Sequence, residues 1–336
     1  MIHQPSPEIA EAFKHHIEDV AYDVAPQRLY TPSDLFDAFI DDDCHIKTSV
    51  FKSPSVCRAL YEQSFDTRIF CHVQDTGLLA SDAPELLARV MHDYHIRMSM
   101  IRLLWEYPER HVIGIMGGHA LLRTDPYYRK VVHISRQLAR WDYLVLSGGG
   151  PGAMEAAHLG VWMAGRTEAE VDEALAILAA EPGSENQAAW LTAALRVIDR
   201  FPLTTPHRSL AIPTWFYGHE PPTIFATHIA KYFENSLRED ILLSQAYGGL
   251  IYMPGSAGTL QEIFQEAASD HYASRGYACP MVLVGKDFWT RDIPVYPFMN
   301  DMLERGRYRN LLITLADDEA DILAPILSFG QDQTNP

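Results

Sequence analysis

The residues best suited to chemistry lie in two glycine-rich turns, Ser147-Gly148-Gly149-Gly150-Pro151-Gly152-Ala153-Met154 and Pro254-Gly255-Ser256-Ala257-Gly258-Thr259-Leu260-Gln261-Glu262. Each follows a short apolar run and precedes a helix-like segment, so each should offer unpaired backbone N–H groups to an anion at a helix start. The small residues Gly255, Ser256, Ala257 and Gly258 let a phosphate approach the main chain without meeting a branched side chain. The turn lacks the lysine of a triphosphate-hydrolysing P-loop, so the expected ligand is a monophosphate or diphosphate held by backbone N–H groups. Gly148-x-Gly150-x-x-Ala153 also fits the permissive form of a dinucleotide fingerprint, a weak signal when taken alone. A further glycine pair, Gly117-Gly118, should border the same ligand, with His119 either touching it or solvated in its loop.

Two charged side chains accompany the second turn. Glu262 ends the spacing Thr259-x-x-Glu262, which suits a capping box in which the carboxylate only satisfies the Thr259 backbone N–H, and equally suits a carboxylate turned towards a ligand. Arg238 lies four residues after Glu234, so it either forms an exposed helical pair worth ~0.3 to 0.5 kcal/mol or lends its permanent charge to the site. Asn235 either contacts a base or rests on a helix surface, and Trp215-Phe216-Tyr217 forms either an aromatic wall or ordinary packing. No metal is expected: the 15 histidines, His15-His16, His92-x-x-His95 and His207 among them, form no His-Glu-x-x-His arrangement. Cys44, Cys57, Cys71 and Cys279 show no C-x-x-C spacing, which suggests reduced thiols in place of a zinc site or a disulfide framework.

The elements that must position these residues read as an α/β fold. The apolar runs 111–116 and 143–146 look like buried parallel strands, with a helix at 127–140 between them and a second, alanine-rich helix at 153–165. This strand, helix, strand and glycine-turn order is that of a doubly wound sheet. Further strands are expected at 209–213, 249–253 and 280–284, with a long amphipathic helix over 222–246. An acidic helical insertion should occupy about 167–205, broken at Glu181-Pro-Gly-Ser. Residues 1–110 show a helical period, for example Leu86, Leu87, Val90, Met91, Met98, Ile101 and Leu104, but no catalytic constellation. They read as an added module of packing, oligomer or regulatory purpose before the main unit 111–330. The tail 330–336 should fray.

Pro254, Gly255, Gly258, Thr259 and Glu262 match the Pro-Gly-Gly-x-Gly-Thr-x-x-Glu signature of the Lonely Guy family of phosphoribohydrolases, with Ser256 where the second glycine is usual. Residues 147–154 are similar to that family's Gly-Gly-Gly-x-x-Gly-x-Met turn, and Gly117-Gly118 with Asp125-Pro126-x-Tyr128 resembles its opening strand and loop. Arg238, in Asn235-Ser-Leu-Arg-Glu, occupies the place of the family's catalytic arginine at a spacing one residue looser. The resemblance covers roughly 111–323. It implies a Rossmann-like fold, a homodimer, no cofactor, and hydrolysis of the N-glycosidic bond of a nucleoside 5′-monophosphate. In that reading Glu262 serves the ribose or a water, Arg238 the phosphate or departing base, and Gly117, Gly118, Gly148, Gly149, Gly150, Gly255, Ser256, Ala257, Gly258 and Thr259 bind the nucleotide.

The bulk numbers narrow the alternatives. With 336 residues, 44 acidic against 27 basic side chains and a net charge of −17, the surface should repel nucleic acid while leaving room for a small phosphorylated ligand. No run approaches the ~18 apolar residues of a membrane span, and 1–13 has no signal-like segment, so a cytoplasmic protein is expected. Two rivals to the hydrolase remain. One is a nucleotide sensor without turnover on the same fold. The other is a nicotinamide-dependent oxidoreductase, which would use Glu168 or Glu170 on the ribose and would leave 254–262 unexplained. No residue marks a pyridoxal-bearing lysine.

Overall fold

A computed structural model describes residues 7–41, 45–51, 53–80, 82–204, 206–217 and 220–331. Cys44 and most of the tail lie outside them, whereas Gly330 and Gln331 belong to the last helix.

The first hundred residues form helices α1 (Pro7–Asp19), α2 (Pro32–Leu35), α3 (Pro54–Gln63), α4 (Phe65–Thr76) and α5 (Ala83–Leu104). Their starts are set by side-chain caps: Ser53, Ser64 and Asp82 accept from the backbone N–H of Val56, Thr67 and Glu85, and a proline occupies the first turn of α3 and of α5. The α/β part follows as β1 (Val112–Met116), α6 (Pro126–Arg140), β2 (Leu144–Ser147), α7 (Ala153–Trp162), α8 (Glu168–Leu178), α9 (Gln187–Arg200), β3 (Ser209–Ala211), β4 (His228–Ile229), α10 (Asn235–Ser244), β5 (Gly249–Tyr252), α11 (Ala257–His271), β6 (Pro280–Val284), α12 (Val295–Glu304), β7 (Leu312–Ala316) and α13 (Glu319–Gln331).

The seven strands pair in parallel in the order β4-β3-β2-β1-β5-β6-β7, so the chain winds outward from β1 to one edge and then returns to β5 on its other side. This is a Rossmann-like doubly wound sheet. Its topological switch lies at β1 and β5, where a crevice opens beyond the strand ends. Helices cover both faces, and β1, β2, β5 and β6 are buried along their whole length, hence their uninterrupted apolar runs.

Two expectations are corrected. The long helix over 222–246 is absent: the chain runs extended through β4, and helix begins only at Asn235. Ile224, Phe225, Ala226, Ile229, Ala230 and Tyr232 are all fully buried, and an amphipathic helix would have turned one face to solvent. The backbone bonds go sideways instead, from Ala230 N–H to Ala211 O at 2.8 Å and in a reciprocal pair between Tyr30 and Ile229 at 3.0 and 2.8 Å. The second correction is a strand that sequence reading missed, β7, which is half-exposed at the sheet edge and therefore lacks a solid apolar run. The acidic stretch does fold as two helices, α8 and α9, with the break between them.

Buried side chains from the N-terminal helices and from the sheet join in one continuous core. At that seam the buried Lys231 reaches Asp66 of α4 at 2.6 Å, and the Trp215 indole donates to the same carboxylate at 2.8 Å.

Candidate active site

The loops after β1, β2 and β5 meet at the switch point. Gly118 N–H donates to Pro254 O at 3.1 Å, and Ala153 N–H donates to Gly118 O at 3.3 Å. Gly152 sits at φ +70°, where a Cβ would lie 2.5 Å from Gly118 O and 2.8 Å from His119 O, so this approach of two main chains requires glycine. Gly149, at φ +76°, faces Ala211 of β3, and its carbonyl accepts from Thr223 N–H at 2.7 Å. The turn is pinned from below by Ser147, whose Oγ accepts from Gly149 N–H at 3.0 Å and lies 2.9 Å from Nε2 of His158 on α7. Burial drives His158 down to about 3, so its ring stays neutral beside the Ser147 hydroxyl.

These loops enclose a cavity of about 440 Å³. Among the expected site residues, Gly117, Gly118, Gly148, Gly150, Ser256, Ala257, Gly258 and Thr259 line it together with Arg238 and Glu262. His119 and Tyr217 also face it, while Gly149, Gly255 and Asn235 stand behind the lining and Trp215 is buried at the seam.

Glu262 is not a capping residue. Helix α11 begins at Ala257 with Ser256 as its N-cap, which places Thr259 inside the first turn, buried, and Glu262 beyond it. Half-buried, the Glu262 carboxyl is pushed up to about 7, first by loss of solvent and further by Glu239, while Arg238 pulls it the other way.

Nor does Arg238 pair with Glu234. Its Nη2 and Nε donate to Asn235 Oδ1 at 2.7 and 3.2 Å, and Glu239 lies at 3.7 Å. Burial pulls the guanidinium below its ordinary value, against the opposing charges of Glu239 and Glu262. The buried Asn235 in turn donates to Glu239 Oε1 at 2.8 Å and to the Tyr217 hydroxyl at 3.0 Å, and Gln261 donates to Glu239 Oε2 at 2.9 Å. The chain therefore fixes Arg238 and Glu239 with neutral amides from α10 and α11.

Sequence reading missed Glu220, Glu239 and Gln261, all of which line the cavity. Glu239 adjoins Arg238 and Gln261 adjoins Glu262, but no spacing marks them, and Glu220 lies in a loop far from both motifs. The nicotinamide alternative loses its acidic ligand: Glu170 caps α8 through Thr167, and Glu168 pairs with Arg136 at 2.7 Å.

Among the described residues, buried Glu266, Asp270 and Cys279 bring possible metal-ligating atoms within 4.8 Å of one another, a cluster that spacing did not reveal. Arg275 already pairs with Glu266, and burial beside Glu266 pushes Asp270 up to about 8, so a proton and an internal cation balance the group. The described cysteines, Cys57, Cys71 and Cys279, are free, and no described helix is long and apolar enough to cross a membrane.

No protein-family model matches the chain, and no curated protein sequence matches it. Solved structures resemble it at low identity. The molybdenum cofactor binding protein from the phototrophic bacterium Rippkaea orientalis is 16% identical, with 65% of this chain and 95% of that one covered and a TM-score of 0.39. The protein TM1055 is 18% identical, with 65% and 98% covered and a TM-score of 0.42. The molybdenum cofactor carrier protein of Chlamydomonas reinhardtii is 16% identical, with 65% and 96% covered and a TM-score of 0.39. At these values they bear on neither ligand nor activity.

Proposed function

We propose that this protein hydrolyses the N-glycosidic bond of a nucleoside 5′-monophosphate, releasing free base and ribose 5-phosphate. The observation that carries this reading is Glu262, a half-buried carboxyl poised near 7 that shares one cavity with Arg238 and three glycine-bearing loops. The motif resemblance to the Lonely Guy family points the same way.

In this reading the phosphate sits on the start of α11, where the N–H groups of 257–259 and the helix dipole favour negative charge. The ribose then lies towards Glu262. As the C1′–N bond breaks, positive charge grows on C1′ and the ring oxygen, and the Glu262 carboxylate stabilises it or takes a proton from the attacking water. Water supplies the new C1′–O bond, and its proton leaves with the base. Arg238, oriented by Asn235, stabilises electron density on the departing base or on the phosphate. No cofactor enters this scheme. A cytoplasmic homodimer is the proposed working form.

A second reading, binding without turnover, is favoured by Ser256, which lines the cavity where the signature has its second glycine. Chromatography of AMP, GMP, CMP, UMP and IMP incubated with wild type and with folded Glu262→Gln separates the two. Free base and ribose 5-phosphate from wild type alone supports the hydrolase; measurable binding with no release from either sinks it for these substrates.

A further inference from the structure

A second cleft, of about 470 Å³, opens where α3 of the N-terminal region meets α9 of the acidic insertion. Two arginines line it, Arg58 on α3 and Arg196 on α9, and neither guanidinium has a hydrogen-bond or ion-pair partner among the described residues. In a chain of net charge −17, where most other arginines are paired with carboxylates or carbonyl oxygens, two unpaired guanidiniums facing one cleft leave a local excess of positive charge. The half-buried Glu181 lines the same walls, as do Ser53 and Asn186, whose oxygens cap α3 and α9, and Thr192, whose hydroxyl donates to Ala188 O. The cleft is larger than a lone phosphate needs and lies within the size range of small-molecule sites.

We infer that this cleft is a second binding site, for a phosphorylated small metabolite whose phosphate is gripped by Arg58 and Arg196. Guanidinium groups match phosphate oxygens in geometry and charge, the Asn186 amide N–H groups suit a polar remainder, and Glu181 suits a hydroxyl or amino group. The site is also wired to the first cavity. Arg123 donates to the carbonyl oxygens of Glu181 and Trp190, both at 3.2 Å, its own N–H donates to Pro182 O at 2.9 Å, and it forms a buried ion pair with Glu155 of α7. Glu155 follows the first glycine turn directly, and Arg123 lies in the loop that runs from Gly117-Gly118 to α6.

Hydrogen–deuterium exchange of the full chain with and without inorganic pyrophosphate tests the assignment, and does so independently of any turnover at the first cavity. Several-fold slower exchange of 53–58 and 186–196 in wild type, lost in Arg58→Ala/Arg196→Ala, is the expected result. Both positions face solvent, and unchanged exchange of the sheet strands in the double variant would certify its fold. Protection confined to 117–119, 147–154 and 255–262, equal protection in both proteins, or no protection at all overturns the assignment.

Discussion

Arg238 Nη2 donates to Oδ1 of Asn235 at 2.7 Å, so an uncharged amide one turn earlier on α10 holds the guanidinium in place, while no direct ion pair joins Arg238 to Glu262 among the described residues. The charge of Arg238 is thereby kept available to a ligand. Asn235→Ala should leave the fold intact by circular dichroism and lower kcat/KM of the proposed hydrolysis by roughly 10²-fold, the scale on which a misplaced catalytic group is felt. Asn235→Asp keeps the acceptor for Arg238 but sets a carboxylate against Glu239, so it should not restore the rate. Wild-type turnover in either variant would remove Asn235 as a positioning residue.

The raised Glu262 makes a pH prediction with two parts. If its carboxylate does the work, kcat/KM should climb as pH rises through about 7, and Glu262→Gln should lose that limb. Stability runs the other way. The folded protein keeps a proton that the unfolded chain releases near 4.5, so the native state binds more protons between those values and loses stability as pH rises towards 7. Thermal or urea unfolding should show Glu262→Gln gaining on wild type across that window, by of order 1 to 3 kcal/mol at pH 8. A gap that does not change with pH would place Glu262 in ordinary solvent contact.

What was legible in the sequence follows from how each element is buried. Strands covered on both faces, such as 112–116 and 144–147, write themselves as solid apolar runs, and the glycine turns stand out because Gly149 and Gly152 need positive φ. The edge strand β7 and the two-residue β4 leave no such mark. Around β4 the buried residues 224–226 and 229–233 flank the half-buried Thr227 and His228, an order with no strict strand alternation. In the site, Glu262 and Arg238 were visible through motif and charge. Glu220, Glu239 and Gln261 were not, because tertiary hydrogen bonds such as Gln261 to Glu239 have no sequence period. The spacing Thr259-x-x-Glu262 suggested a cap, but the helix starts three residues earlier than that reading requires, with Ser256 as its N-cap.

Gly152 joins the first glycine turn to the loop after β1, and its backbone leaves no room for a Cβ. Gly152→Ala combines a left-handed conformation with a clash against two backbone carbonyls that cannot rotate away. It should cost about 1 to 3 kcal/mol in urea unfolding, and it should weaken nucleotide binding in calorimetry by forcing Gly118 out of the cavity wall. Gly258 makes the contrast: a Cβ there meets nothing on a helical backbone, so Gly258→Ala should raise stability by up to about 1 kcal/mol, and any loss of nucleotide affinity would come from the ligand itself.

The buried pair Lys231–Asp66 tests whether residues 1–110 fold as a separate module. Lys231 extends from the strand end at the sheet edge, Asp66 belongs to α4, and both are sealed from solvent within a core that the two regions share. Burial pulls the Lys231 ammonium below its ordinary value while Asp66 opposes the change. Asp66→Asn leaves that cation without its counter-charge and should cost about 3 to 5 kcal/mol. The deficit should shrink as pH rises, because the unfolded chain holds the lysine proton more tightly than the uncompensated buried site does. Asp66→Asn/Lys231→Met, which removes the charge as well, should recover most of the loss. Urea titration followed by tryptophan fluorescence and by far-ultraviolet dichroism should give one coincident transition in wild type and in each variant. Two separated transitions, with Asp66→Asn moving only the earlier one, would show instead that the N-terminal helices unfold on their own and that the shared core is not cooperative.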